Sequence, residues 1–157
     1  MNLGQQLADA MRQELSCMEQ LQDILKREHQ ALVKADVAQL EQITQDKTQA
    51  LQYQAQVKDR RSALAQSRGG VESSEELEAL FTGFDNAQQL RAMHAAFLQL
   101  AETCNEANRA NGRLIAQQQK HTVGALNVLR QTERDVPVYS GQGAAVESRT
   151  GRILGRA

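Results

Sequence analysis

A chain of 157 residues that is 41% hydrophobic, 24% charged and 3% aromatic is about one soluble domain long and poor in large core side chains. Eighteen Lys and Arg against nineteen Asp and Glu leave a net charge of -1, which argues against nucleic acid or an anionic membrane as the main partner. Ala, Gln, Leu and Glu, all strong helix formers, make up 74 of the residues, and β-branched and aromatic residues are too few to cover a sheet. The sole proline is Pro137. Met1-Asn2-Leu3-Gly4-Gln5 shows no basic stretch followed by an apolar block. The longest apolar run, Ala95-Ala96-Phe97-Leu98, falls far short of the roughly 20 residues that span a bilayer. A cytoplasmic protein without stable membrane insertion is expected.

Leu3, Leu7, Met11, Leu15, Met18, Leu21, Leu25 and Leu32 recur at helical steps between polar residues, which predicts an amphipathic helix over about 3–34. The pattern breaks at Lys34-Ala35-Asp36, and Asp36 with Gln39 three residues on reads as an N-cap with its reciprocal partner. The second helix, from Val37, has a thinner seam of Leu40, Ile43, Ala50, Leu51, Val57 and Leu64. Lys47, Gln54 and Arg61 intrude at seam positions, which implies partial exposure or frayed packing. Ser67-Arg68-Gly69-Gly70 stops that helix. Ser73 with Glu76 is the next capping box, opening a short helix to about Phe81 that Thr82-Gly83 ends. Asp85 with Gln88 is expected to cap the longest segment, which carries Leu90, Met93, Phe97, Leu100, Cys104, Ala107, Leu114, Ile115, Ala125 and Leu129.

The first two helices, laid end to end, nearly match the third in length, which predicts an all-α fold. Its form would be an elongated antiparallel helical bundle or hairpin, with long N- and C-terminal helices and the turn at residues 67–85. Phe81 and Phe84 would close that end of the core. After Gln131 the composition changes: four of the ten glycines lie between 141 and 155, and few large apolar residues remain. The expected organisation is a helical bundle domain over 1–132 and a flexible tail over 133–157.

No catalytic constellation, cofactor motif or metal-ligand set emerges. His29, His94 and His121 each lack the glutamate three residues earlier that a di-iron bundle requires, and they read as lying on half-exposed faces. Cys104 and His94 lie ten residues apart on one helix, about 15 Å, too far for a nucleophile pair. Cys17 and Cys104 read as buried thiols, and no Gly-Lys-Ser/Thr phosphate loop occurs. The informative anomaly is Asn105-Glu106-Ala107-Asn108-Arg109-Ala110-Asn111-Gly112-Arg113-Leu114-Ile115, where three asparagines and a glycine interrupt a continuous helical pattern. Two readings stay open: a polar layer that sets bundle register, with close helix approach at Gly112, or an exposed groove for a partner helix. Tyr139, flanked by proline and glycine, reads either as a docking anchor or as a side chain folded back against the long helix.

These residues carry a resemblance. Leu32 to Lys47, with its leucine, small residue, aspartate, leucine, isoleucine and lysine pattern, is similar to the FlgN family of flagellar export chaperones. Asn108, Asn111, Gly112, Leu114 and Ile115 resemble that family's asparagine-rich stretch. Val138-Tyr139-Ser140-Gly141-Gln142-Gly143 resembles its tail motif, with Ser140 in place of a glycine. The resemblance implies a chaperone that binds helical C-terminal segments of the hook-filament junction proteins and delivers them to the type III export gate. Cargo binding then falls to Asn108, Asn111, Gly112, Leu114 and Ile115, and gate docking to Tyr139. A coiled-coil adaptor or self-associating scaffold is the alternative, since the same near-heptads would serve it.

Overall fold

The computed structural model describes residues 2–69 and 73–135, and the described residues form four helices. These are α1 (Leu3–Lys34), α2 (Val37–Gln66), α3 (Ser74–Phe81) and α4 (Ala87–Asp135). The chain divides into two compact units, residues 1–115 and 116–157. α4 runs to Asp135, and the rest of the tail expected over 133–157, residues 136–157 with Tyr139 among them, lies outside the described residues.

In the first unit α1, α2 and α3 each start on a side-chain cap that satisfies an otherwise orphaned N–H. Asn2 Oδ1 accepts from the Gln5 backbone N–H and Gln5 Oε1 accepts in return, a capping box that also recurs at Ser73 and Glu76. Asp36 caps α2 by accepting from the Gln39 backbone N–H at 3.1 Å. The expected cap at Asp85 is displaced by one residue. Asp85 falls inside a turn in which the Ala87 N–H reaches the Phe84 carbonyl, so Asn86 immediately precedes α4 and its carbonyl accepts from Leu90. The Asn86 amide donates to the Gly4 carbonyl at 3.0 Å, and a Cβ at Gly4 would stand 2.5 Å from Asn86 Oδ1. Any larger residue at Gly4 would make the Asn86 side chain shift.

The chain reverses at Ala35, which takes the left-handed conformation with φ 53, while the Asp36 N–H bonds back to the Ala31 carbonyl. A non-glycine residue adopts this backbone at a cost of about 1–2 kcal/mol, and the result is an antiparallel hairpin of α1 and α2. The two helices therefore do not lie end to end as the length match suggested. A second reversal between α2 and α4 brings α4 alongside α1 in the same direction. Asn86 meets Gly4, Cys104 meets the Met18 carbonyl and Asn111 meets the Leu25 carbonyl, at sequence separations of 82 to 86.

Three apolar clusters follow one another along this unit. Leu7, Ala8, Met11, Leu77, Phe81 and Leu90 form the first, with Phe84 packed against it, so both phenylalanines close that end as predicted. Met18, Leu21, Leu25 and Cys104 form the second, from α1 and α4; Ile24, Ala31 and Ile43 form the third, from α1 and α2. Cys17 and Cys104 are buried free thiols, and burial pushes both thiol pKa values up, with Glu14 adding to the effect at Cys17.

His94 is buried rather than half-exposed, with Nε2 2.8 Å from Ser74 Oγ and its ring edge-on to Phe81 at 6.0 Å. Burial holds its pKa below the ordinary 6.5; the carboxylates of Glu78 and Glu14 act in the opposite sense, and Arg61 adds to the lowering. The unfolded chain therefore takes up this proton first on acidification. The contribution of neutral His94 to stability is complete above about pH 6.5. It is lost as the pH falls from there toward the lower folded value. The urea midpoint is expected to decline between pH 7 and 5, and His94→Gln to reduce that decline; an equally steep slope in the variant would assign it to other groups.

Candidate surface for a helical partner

The asparagine-rich stretch of α4 faces two ways. Asn111 is only 2% exposed. Its amide nitrogen donates to the Leu25 carbonyl at 3.0 Å and to Glu28 Oε2 at 2.8 Å, and its Oδ1 lies 3.1 Å from His29 Nδ1. Glu28 is itself buried and takes Lys47 Nζ at 3.2 and 3.1 Å through its two oxygens. The same ammonium donates to Asn108 Oδ1 at 2.7 Å. The five side chains form one polar layer across α1, α2 and α4, the register-setting arrangement left open by the sequence. An asparagine inside an apolar seam tolerates only the register in which its partners are present, since an unpaired buried amide costs about 1–3 kcal/mol.

Gly112, Leu114 and Ile115 do not join this layer. Nothing lies within 4 Å of a Cβ built at Gly112, so close helix approach does not account for that glycine. Leu114 is half-buried and Ile115 is 38% exposed. The stretch thus brings Asn108 and Asn111 together through Lys47 and Glu28, and leaves Leu114 and Ile115 as an apolar pair with access to solvent.

In the second unit, every side chain from 119 to 134 is exposed, including Val123, Leu126, Val128 and Leu129. Leu126 and Leu129 are three residues apart and share a face of the helix. Several large apolar side chains exposed within two turns form an apolar stretch of the kind found at protein interaction surfaces.

The α1–α2 interface holds residues that the sequence reading placed poorly. Lys47, Gln54 and Arg61 do not fray the hairpin. Arg61 Nε meets Glu14 Oε2 at 2.5 Å, Lys47 meets Glu28, and Gln54 Nε2 donates to Met18 Sδ at 2.9 Å. Arg27 pairs with Asp46 at 2.9 Å on the outer edge, and hydrogen bonds from Gln42 and Arg27 hold the Asp46 carboxyl below its ordinary pKa. The signal was present as opposite charges on matching seven-residue rows, Glu14 and Glu28 on α1 against Lys47 and Arg61 on α2.

Among the described residues no group of three His, Cys, Asp or Glu side chains could hold a metal ion. No described helix is long and apolar enough to cross a membrane. No curated protein and no solved structure matches the chain. The family model for the FlgN protein matches residues 1–147, which takes in α1 to α4 and the asparagine-rich stretch. The chain therefore belongs to the FlgN family of flagellar export chaperones.

Proposed function

We propose that this chaperone works in the cytoplasm, binding helical C-terminal segments of the hook-filament junction proteins on α4 and delivering them to the export gate. The observation that carries this reading is the solvent access of Leu114 and Ile115 beside a rigid polar layer that fixes the helix presenting them. A helix-in-groove contact needs apolar anchors open to solvent, and a firmly registered helix offers them without an ordering cost. Asn108, 2.7 Å from Lys47, and Gly112 would border the contact, while Asn111 would support it from within. The protein acts as a binding partner and not as an enzyme.

Replacing both Leu114 and Ile115 by alanine is expected to weaken binding of a cargo C-terminal segment at least tenfold. Titration calorimetry would read this. Circular dichroism and a urea midpoint on the same variant are needed, because truncating a partly buried leucine can by itself cost about 2 kcal/mol. Unchanged affinity with an intact fold would move the cargo surface elsewhere.

Tyr139 is proposed to dock on the export gate, since an aromatic side chain offers a large contact area at a small entropy cost. Tyr139→Ala is expected to leave cargo affinity within about twofold while reducing cargo export in cells. Loss of cargo binding would show that Tyr139 serves the other partner.

A second reading, self-association, is favoured by the exposed Val123, Leu126, Val128 and Leu129. The mass in solution with and without cargo separates the two readings. A dimer that persists with bound cargo supports a scaffold, and a monomer that takes one cargo segment supports the chaperone.

A further inference from the structure

Along α1, residues 7, 14, 21 and 28 are Leu, Glu, Leu and Glu; along α2, residues 47, 54 and 61 are Lys, Gln and Arg. Steps of seven are nearly two helical turns, so each row stays on one face of its helix. Glu14 and Glu28 are fourteen residues apart, as are Lys47 and Arg61, and the hairpin matches the two pairs across a buried interface. Between the pairs the fit is poor. Over its thirty residues α2 buries only Ile43, Val57 and Ala65, whereas α1 buries residues along its whole length. The cluster of Met18, Leu21, Leu25 and Cys104 is built by α1 and α4 alone. Where α2 passes over it an open-sided pocket of about 240 Å³ is left, with Lys47, Leu51 and Gln54 on its α2 side.

The attachment of α2 to α1 thus depends on charge more than on apolar fit. A buried ion pair roughly breaks even against a well-packed apolar pair, but a buried carboxylate left without a cation is heavily penalised. The carboxylate row of α1 therefore requires two cations, four turns apart, from whatever helix lies on it; the apolar requirement on that helix is small, and α2 meets it with Ile43, Val57 and Ala65.

We propose that α2 is an internal stand-in on a docking groove formed by α1 and α4. The partner is an amphipathic helix of another protein, with two basic residues fourteen positions apart and a large apolar residue midway, which displaces α2. The midway residue would occupy the place of Gln54 and fill the pocket. That gives the partner packing which α2 lacks, and lets it compete with a helix held close by covalent connection. This inference makes no use of Leu114, Ile115 or Tyr139, and since displacement of α2 takes Lys47 away from Glu28 and Asn108, the cargo reading describes the state with α2 in place.

The test uses the full chain and two synthetic helical peptides, one with arginines fourteen residues apart and a leucine midway, the other with glutamines in place of the arginines. The arginine peptide is expected to bind at least tenfold more tightly than the glutamine peptide. In its presence the α2 amides should exchange hydrogen at least tenfold faster while those of α1 stay protected. In the Glu14→Gln, Glu28→Gln double variant the preference for the arginine peptide should vanish. That preference is a ratio taken on one protein, so a loss of stability does not imitate it. Gln54→Leu fills the pocket from within, and should slow α2 exchange and lower the affinity for the arginine peptide about tenfold. An arginine peptide that does not bind, binds no better than its control, leaves α2 protected, or is indifferent to Gln54→Leu overturns the proposal.

Discussion

Arg61→Ala is expected to lower the unfolding free energy by about 3–5 kcal/mol, a loss out of proportion to the modest net contribution of the ion pair itself. Glu14 is 4% exposed and the Arg61 guanidinium lies 2.5 Å from it, so the substitution leaves a carboxylate facing a largely dehydrated interface without its cation. The double substitution Glu14→Leu, Arg61→Leu removes both charges and is expected to recover most of the loss, because apolar side chains can pack where the pair stood without a stranded charge. Urea unfolding of the two variants measures this. A double variant as unstable as Arg61→Ala would mean that the cost lay in lost packing and not in the stranded charge.

Phe81→Ala is the second large effect, at about 3–5 kcal/mol. Phe81 has no exposed surface, packs with Leu7, Met11, Leu77 and Leu90, and presents its ring to the edge of His94. It is also the last residue of α3, an eight-residue helix too short to persist without tertiary packing. The cavity left by the ring should loosen α3, so the Ser74 to His94 contact is lost with it. Hydrogen exchange should show the α3 amides losing protection before those of α1. Uniform loss across both helices would show that α3 is held by contacts other than Phe81.

The caps explain how much of this architecture could be read from the sequence. Asp36 and Ser73 are followed by the right residues at the right spacing and both cap, Ser73 with the full reciprocal box and Asp36 by accepting from the Gln39 N–H. Asp85 satisfied the same rule and failed because the competing turn at Phe84 and the reach of Asn86 to Gly4 set the helix start one residue later. Those are tertiary facts. The reversal at Ala35 was harder still, since alanine does not advertise a left-handed conformation, and a two-residue break can continue a rod or fold it back. Until that reversal is known, Glu14 and Glu28 have no visible partners, and Lys47 and Arg61 look like flaws in a seam. The asparagine stretch was legible as an anomaly; which asparagine points inward depended on α4 running parallel to α1.

In the proposed function α4 presents the surface on which a helical segment of another flagellar protein is carried. The most direct test of this is a map of backbone amide protection on the full chain, with and without a saturating C-terminal segment of a hook-filament junction protein. The account predicts added protection at and after Leu114 on α4, with the α3 amides and the Phe81 cluster unchanged. Protection confined to α1 and α3, with α4 unaltered from Leu114 onward, would contradict it.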